Sequence, residues 1–303
     1  MVTTPQQCLR DRVRVPELPH VEPFTLKLPG RGTTLVTDTG PRDAPAVLLL
    51  HAVGCTGLLT WFPVIDQLAE RYRVVTFDQR WHGRGIQSEY FTLQDCADDA
   101  AAVIETLDLR DVVVAGFSMG SIVAQRVWRQ HPGPTAGLVL AATTDRFAST
   151  LSERIFHQAM GVSMAATRTL ASSRSVRRAS RGAAEALSLA PSDTHRWALG
   201  QWRETSPWAV AQAVAALGRH HSRPWLDQID VPTAVVVTER DHVLPPERQR
   251  AVASRIPGAS IHPVDCGHAG CVLEADRFVP VLIEAVDETA ARVRERKAHR
   301  DPA

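Results

Sequence analysis

Short apolar runs alternate with amphipathic stretches along most of the chain. Five of the runs are short and rich in Val, Leu or Ala, and they contain no charged residue, as is typical of strands buried on both faces of a sheet. They cover 47–50, 74–77, 112–115, 138–142 and 234–237. Helical patterns separate them at 61–70, 93–107 and 118–129. This order predicts an α/β fold, doubly wound, with a mostly parallel sheet.

Three other segments extend the predicted sheet. Residues 24–28 and 33–37 flank the turn sequence Pro-Gly-Arg-Gly, which indicates an antiparallel hairpin at the start of the fold. A short strand is predicted near 260–264. Thr92 and Asp95 form a capping-box pattern at the start of the helix over 93–107.

The alternation stops between 145 and 223, where no strand pattern occurs. This segment is rich in arginine and contains Trp197, Trp202 and Trp208. We interpret it as a helical cap inserted in a core of 21–144 and 224–303, with 1–20 as an N-terminal extension. The run "SSRSVRRASRG" within it is interpreted as a solvated loop or helix face.

Composition sets limits on the class of protein. The chain has 303 residues, of which 44% are hydrophobic and 22% charged, and its formal net charge is +1. These values argue against disorder and against a nucleic-acid partner. The first 20 residues carry charges and prolines where a secretory signal needs an apolar stretch, and no later run is long enough to span a membrane. The five cysteines are scattered and odd in number, which favours reduced thiols and a cytoplasmic location.

The sequence "VVVAGFSMGSIVAQ" places Ser118 between two glycines at the end of a predicted strand. Gly116 and Gly120 relieve crowding at a sharp strand-to-helix turn, and such a turn holds a serine hydroxyl above the edge of the sheet. The helix that starts there directs backbone N–H groups and its positive dipole end at the same point. Ser118 is therefore the predicted nucleophile.

A nucleophilic serine requires a base and a carboxylate, and both occur later in the chain. Asp241 follows the predicted strand 234–237, and His268 follows the strand near 260–264. Asp145, just beyond the strand 138–142, is an alternative source of the carboxylate. The surroundings of Asp241 favour it over Asp145.

The order Ser118, Asp241, His268, together with "LLLHAVG" at 48–54 and "FDQRWHGRG" at 77–85, resembles the α/β-hydrolase superfamily. The resemblance covers the chain from about residue 33 to the C-terminal helix. It implies an oxyanion hole formed by the backbone amides of Val53 and Met119. The sequence departs from the family pattern at three positions where a glycine is common, which are Ala52, Trp81 and Ser121.

Other chemistries find less support. Cys266, His268 and Cys271 have soft and imidazole ligands at a short spacing, but a structural zinc site needs a fourth ligand and no second pair stands at a comparable spacing. The two cysteines are interpreted as small apolar residues around the histidine loop. No Rossmann or P-loop glycine pattern occurs, so no cofactor is implied.

These residues predict a serine hydrolase that cleaves a small carboxylic ester or thioester through an acyl-enzyme. An acyltransferase, a carbon–carbon bond hydrolase and a cofactor-free haloperoxidase use the same three groups and remain alternatives, as does a binding protein on a hydrolase fold. Trp61, Trp202 and Trp208 are predicted to wall an acyl pocket under the inserted segment. Alternatively, these tryptophans only seal the cap against the core.

Overall fold

The computed structural model describes residues 17–147 and 193–300. Within them, one eight-stranded sheet forms the centre of the fold. Its strands are β1 Phe24–Leu28, β2 Gly32–Thr39, β3 Ala46–Leu50, β4 Arg73–Phe77, β5 Val112–Phe117, β6 Thr135–Ala141, β7 Thr233–Thr238 and β8 Ser260–Val264. All eight predicted strand segments, including the hairpin of β1 and β2, are confirmed.

Helices connect the strands. They are α1 Gly57–Trp61, α2 Ile65–Ala69, α3 Leu93–Thr106, α4 Met119–Gln130, α5 Asp193–Glu204, α6 Pro207–Leu217, α7 Pro246–Ala253, α8 Gly270–Leu273 and α9 Ala275–Arg300. The predicted cap of α3 is confirmed, because Thr92 Oγ1 accepts a hydrogen bond from Asp95 N at 3.0 Å. None of the helices described is long and apolar enough to cross a membrane.

The strand order in the sheet is β1-β2-β4-β3-β5-β6-β7-β8. The hairpin β1–β2 is antiparallel and β2 pairs antiparallel with β4, whereas every pairing from β4 to β8 is parallel. The fold is therefore of the predicted α/β class, with a mostly parallel sheet flanked by helices. The carboxyl ends of β5, β7 and β8 lie along one edge of the sheet, so residues that follow these strands can meet.

The sheet separates two apolar cores because successive side chains of each strand point to opposite faces. Leu48 and Leu50 of β3 belong to the core that α3 and α4 cover, and Val47 and Leu49 belong to the core that α9 covers. β3, β5 and β7 are buried on both faces, which explains why their sequences are uninterrupted apolar runs rather than alternating ones.

One predicted helix is divided. The pattern over 61–70 predicts a single helix, but the structure has α1 ending at Trp61 and α2 beginning at Ile65. Pro63 lies between them and has no N–H to donate within a helix, and its ring crowds the preceding turn. The apolar spacing of the two short helices still places Ile65 and Leu68 in the core on the α9 side.

The predicted inserted segment begins and ends at adjacent points. Arg146 and His221 form an isolated antiparallel bridge, and Ser222 N donates to Asp145 O at 2.9 Å. Of the segment itself, the described residues include α5 and α6, which we call the inserted helices. The arginine-rich run "SSRSVRRASRG" lies outside the described residues. The domain boundaries therefore stay a prediction.

Candidate active site

Ser118 occupies the turn between β5 and α4. Its backbone has φ 53° and ψ −116°, a conformation that L-residues rarely adopt and that occurs mainly where surrounding structure enforces it. The two glycines make this turn possible. A Cβ at Gly116 would overlap the Gly120 carbonyl oxygen, and a Cβ at Gly120 would overlap the carbonyl oxygen of Leu50 in β3.

Hydrogen bonds to neighbouring backbone hold the turn in place. Ser118 N donates to Ala141 O at the end of β6, at 3.0 Å. Ser121, which stands where the family pattern has a glycine, donates its hydroxyl to Ser118 O at 2.7 Å. The Ser121 hydroxyl is buried and supports the turn, so this departure from the pattern adds a contact instead of disrupting the site.

His268 lies in the loop after β8 and reaches Ser118. Its Nε2 atom is 3.0 Å from Ser118 Oγ, and its ring packs against Phe117, with ring centroids 5.7 Å apart. The loop is fixed by Glu274, which accepts a hydrogen bond from Gly267 N at 2.8 Å and forms an ion pair with Arg240. The histidine is thus held from both its ring and its backbone.

Asp241 follows β7 and uses both carboxylate oxygens. Oδ2 accepts hydrogen bonds from His268 Nδ1 at 2.7 Å and from Thr238 Oγ1 at 2.8 Å. Oδ1 accepts from the backbone amides of Val243 and Leu244, each at 2.8 Å. Burial raises the pKa of this carboxyl, but the bond and charge of His268 and the other donors outweigh burial, and the pKa lies below its usual value.

These contacts fix the protonation pattern of the histidine. Because Asp241 is ionised and can only accept, Nδ1 of His268 carries the proton and Nε2 is free to accept from the Ser118 hydroxyl. Asp145, the alternative acid, accepts from Ser222 through its backbone carbonyl, and its carboxylate makes no hydrogen bond to His268. The carboxylate next to the histidine ring is that of Asp241.

The loop after β3, residues 51–56, faces the N-terminus of α4. We call it the β3 loop. Its base is His51, which donates from Nδ1 to Ala52 O at 2.8 Å and accepts from Gln79 N at Nε2, also at 2.8 Å. Gly54 has φ +76°, and Cys55 N closes the turn onto Ala52 O at 3.3 Å. The backbone amides of Val53 and Met119 donate to no residue in 17–147 or 193–300.

The histidines beneath the β3 loop are neutral. Burial, with a smaller contribution from His82, lowers the pKa of His51 to about 3, and burial lowers the pKa of His82 to about 4. The two rings meet edge to face at 5.2 Å. A neutral His51 is required here because its Nε2 atom accepts a backbone hydrogen bond.

The three predicted pocket tryptophans lie in different surroundings. Trp61 is only 1% exposed and its indole N–H has no hydrogen-bond partner among the described residues, whereas Trp202 is 61% exposed on α5. Trp208 is half-buried near the start of α6. Val210 of α6 lies against the middle of the β3 loop, because a Cβ at Gly54 would be 3.3 Å from its Cγ2 atom. The substrate contacts of the tryptophans stay a prediction.

The cysteines near the site are free thiols. Cys266 and Cys271 are buried, and a side chain at Gly270 would overlap Cys266 Sγ. Burial raises the pKa of Cys266 to about 12 and raises the pKa of Cys271 well above its usual value. No group of three or more potential metal ligands occurs in the described ranges, and both ring nitrogens of His268 are already engaged.

Two contributors to the site have no signal in the sequence pattern. Thr238 is the last residue of β7 and donates to Asp241, but a threonine at a strand end is unremarkable in sequence. Val210 lies 156 positions after Gly54, and only the three-dimensional arrangement brings them together. The sequence Thr-Ser-Pro at 205–207 marks the start of α6, where Ser206 Oγ accepts from Ala209 N at 3.1 Å.

Comparison with known proteins agrees with this fold. The family described as alpha/beta hydrolase fold matches residues 45–275. A curated relative, 3-oxoadipate enol-lactonase 1 of Acinetobacter baylyi, is 25% identical over 260 residues, which cover 83% of this chain and 92% of that protein.

Solved structures superpose over most of the chain. The enol-lactonase from Burkholderia xenovorans has a TM-score of 0.67 at 20% identity and covers 87% of this chain and 100% of its own. A thermophilic esterase from Thermogutta terrifontis, with malate bound, has a TM-score of 0.67 at 22% identity, covering 88% and 99%. At these sequence identities the superpositions show a shared fold and do not identify a shared activity.

Proposed function

The chain belongs to the alpha/beta hydrolase family, and from that premise we propose that it hydrolyses carboxylic esters through an acyl-enzyme on Ser118. The observation that carries the proposal is the chain of hydrogen bonds from Ser118 through His268 to Asp241, at 3.0 and 2.7 Å. A serine hydroxyl is a weak nucleophile until a base accepts its proton, and that base needs a carboxylate to hold its tautomer.

Acylation begins when Ser118 Oγ attacks the ester carbonyl carbon and His268 Nε2 takes the hydroxyl proton. The bond to Asp241 stabilises the imidazolium that forms. The tetrahedral intermediate then breaks its bond to the alcohol, and His268 gives its proton to the departing oxygen. In deacylation a water molecule takes the place of the alcohol, His268 again accepts a proton, and the carboxylic acid is released.

The negative oxygen of each tetrahedral intermediate needs hydrogen-bond donors. We assign this role to the amides of Val53 and Met119, which have no partner among the residues described. Met119 begins α4, so the positive end of that helix dipole points the same way. Each donor of this kind contributes about 3 kcal/mol to the transition state.

The surroundings favour an ester with an uncharged, moderately apolar acyl group. Val210 lies against Gly54, and Val53 packs with the core on the α4 side. A charged acyl group placed against such side chains would lose hydration without a compensating ion pair. Trp208, two residues before Val210, is our proposed further wall of the pocket. A lactone is a cyclic ester, so the curated relative named as an enol-lactonase is compatible with this class.

Covalent labelling combined with an ester series tests the proposal. A fluorophosphonate probe is expected to label Ser118, and p-nitrophenyl esters of increasing acyl length are expected to be turned over. Ser118→Ala removes labelling and lowers kcat by several orders of magnitude without a large change in Tm. Ser254→Ala, which alters an exposed serine just after α7, is the matched control.

Product analysis separates the alternatives. Release of the free acid into water supports hydrolysis, whereas accumulation of a transferred acyl group when an alcohol or thiol is added identifies an acyltransferase. Full turnover by purified Ser118→Ala contradicts the acyl-enzyme. A protein that neither reacts with the probe nor turns over any ester of the series is a binding protein on this fold.

A further inference from the structure

A buried carboxylate lies behind the β3 loop, and no step of ester hydrolysis uses it. Asp78 follows β4 and is 3% exposed. Its Oδ1 atom accepts from Gly57 N at 2.8 Å and its Oδ2 atom accepts from Arg84 N at 2.9 Å. Burial raises its pKa to about 6, although both amides act in the opposite direction. Keeping a carboxylate here therefore reduces stability when it is ionised.

The two amides belong to different segments of the chain. Gly57 is the first residue of α1 and directly follows the β3 loop, whose Val53 amide we assign to the oxyanion hole. Arg84 belongs to the loop after β4. One carboxylate thus ties these two loops together, and the fit is close, because a side chain at Gly83 would overlap Asp78 Oδ2.

The inserted helices contact the same two loops. At the end of α5, Gln201 Oε1 accepts a hydrogen bond from Thr56 Oγ1 at 2.8 Å, and Thr205 Oγ1 accepts one from Gly83 N at 3.0 Å. The exposed ion pair of Arg84 and Glu204, at 3.6 Å, adds little in water.

Thr56 has two hydrogen bonds that fix the orientation of its side chain. Its hydroxyl oxygen accepts from Leu59 N at 3.0 Å and caps α1, and its proton goes to Gln201. The end of the β3 loop is consequently held from below by Asp78 through Gly57 and from above by Gln201 through Thr56. Gly54, in the middle of the loop, lies under Val210 of α6.

We propose that Asp78, Gln201 and Thr205 are positioning residues that hold the Val53 amide where the oxyanion forms. Seating of the inserted helices on the β3 loop is thereby coupled to stabilisation of the transition state. This inference rests on the proposed function, because it assigns these residues a role in the same ester hydrolysis. Their contacts reach the reacting atoms only through the loop, so they are not catalytic residues.

Positioning of the Val53 amide affects stabilisation of the transition state more than it affects binding of the substrate. A shift of a fraction of an ångström in an amide weakens its bond to an oxyanion far more than it changes the binding of an uncharged ester. An interaction that is stronger in the transition state than in the ground state lowers kcat when it is lost and leaves KM nearly unchanged. A purely structural contact instead lowers Tm and leaves kcat per folded molecule as it was.

Thr205→Val tests the proposal, with Thr205→Ser as its control. Valine keeps the shape but cannot accept from Gly83 N, whereas serine keeps the acceptor. We expect Thr205→Val to lower kcat about tenfold, with KM within about twofold of the parent. Inhibition by an alkylboronic acid, which forms a tetrahedral adduct with the serine, weakens by the same factor. Binding of an ether analogue that lacks the carbonyl oxygen is unchanged, and Thr205→Ser restores most of kcat.

Two outcomes overturn the inference. A Thr205→Val protein that loses Tm but keeps its kcat and boronic-acid affinity shows that the contact is only structural. A change in KM at constant kcat shows that the inserted helices only admit substrate. Ser118→Ala, assayed in parallel, separates this inference from the proposed function: if that variant keeps full turnover the proposed function fails, and if it is inactive while Thr205→Val equals the parent, only the positioning role fails.

Discussion

The Oδ2 atom of Asp241 lies 2.7 Å from Nδ1 of His268, although 27 residues separate them in the chain. The other carboxylate oxygen of Asp241, Oδ1, accepts hydrogen bonds from two backbone amides in the turn that follows β7. The carboxylate is therefore oriented by its own loop and does not depend on the histidine for its position. This independence makes Asp241 suitable for holding the His268 ring while the ring changes its charge.

Substitution of Asp241 by Asn is expected to leave the loop folded and to impair the chemistry. The side-chain amide can point its N–H₂ group at His268, which favours the tautomer protonated on Nε2 and blocks proton transfer from Ser118. We expect kcat to fall by about 10³- to 10⁴-fold. Asp145→Asn is the matched control and should change kcat less than about threefold; the reverse ranking of the two variants would contradict the assignment of Asp241.

Val210→Ala is expected to change acyl-chain preference. Removing its methyl groups opens space above Gly54, which we expect to raise kcat/KM for long acyl esters relative to short ones by about tenfold, since a methylene in a pocket is worth about 1 to 3 kcal/mol. Val286→Ala makes the same change in the buried core on the other side of the sheet. Val286→Ala should lower Tm and leave the ratio of kcat/KM between long and short acyl esters unchanged. If this ratio is the same in both variants, the acyl pocket lies elsewhere.

Acid is expected to unfold the protein through its buried histidines. Burial lowers the pKa values of His51 and His220 to about 3 and that of His82 to about 4, against 6.5 for an ordinary histidine. The stability from their neutral forms is present above pH 6.5 and is lost as the pH falls towards 4, because the unfolded chain binds these protons first. Each histidine contributes a slope of about 1.4 kcal/mol per pH unit. The free energy of unfolding, obtained from urea unfolding at several pH values between 7 and 4.5, measures this slope.

Asp78 acts in the opposite direction over the same range. Its folded pKa of about 6 lies above the ordinary 3.8, so the folded state gains a proton before the unfolded state does, and acid favours folding at this residue. Asp78→Asn is expected to steepen the loss of stability near pH 5 by about 1.4 kcal/mol per pH unit. Above pH 7 the difference between the parent and the variant should be constant. If the free energy of unfolding of the parent and of Asp78→Asn differed by the same amount at every pH, Asp78 would not titrate between pH 4 and 7.

The thiols near the site are expected to react slowly. Burial raises the pKa of Cys55, Cys266 and Cys271, and the thiolate is the reactive form. At pH 7.5 we expect iodoacetamide to leave these cysteines, and the proposed ester turnover, intact for far longer than free cysteine survives. Rapid inactivation that disappears in Cys55→Ala would show that this thiol, which is only partly covered, opens to reagents.

Much of the fold follows from local pattern. β5, Ser118 and α4 were predictable because a buried apolar run, a pair of glycines and an amphipathic run follow each other within 19 residues, and each constraint is local. The same holds for the capped start of α3. Pro63 shows where prediction from local pattern fails. The apolar spacing predicts one helix across α1 and α2, but Pro63 has no N–H to donate and its ring crowds the preceding turn, so the helix is interrupted there.

The site is less predictable where contacts cross the chain. Trp81 stands at a position where the family pattern has a glycine. It has φ 65°, and its indole N–H donates to Ser88 O at 3.0 Å. The sequence pattern singles out Trp81, but it does not predict that Ser88 is its hydrogen-bond partner. The bonds of Thr205 to Gly83 and of Gln201 to Thr56 span 122 and 145 positions, and no periodicity encodes such a pairing.

The bridge between Arg146 and His221 has a consequence for how this chain tolerates changes in length. The segment leaves and returns at paired residues that lie outside the strands, and β6 pairs directly with β7, so the sheet is complete without it. The entropy of closing such a loop grows only with the logarithm of its length, by about 0.6 kcal/mol per doubling. We therefore expect insertions and deletions between these two residues to cost the fold little, provided that the contacts of Gln201 with Thr56 and of Thr205 with Gly83 are kept.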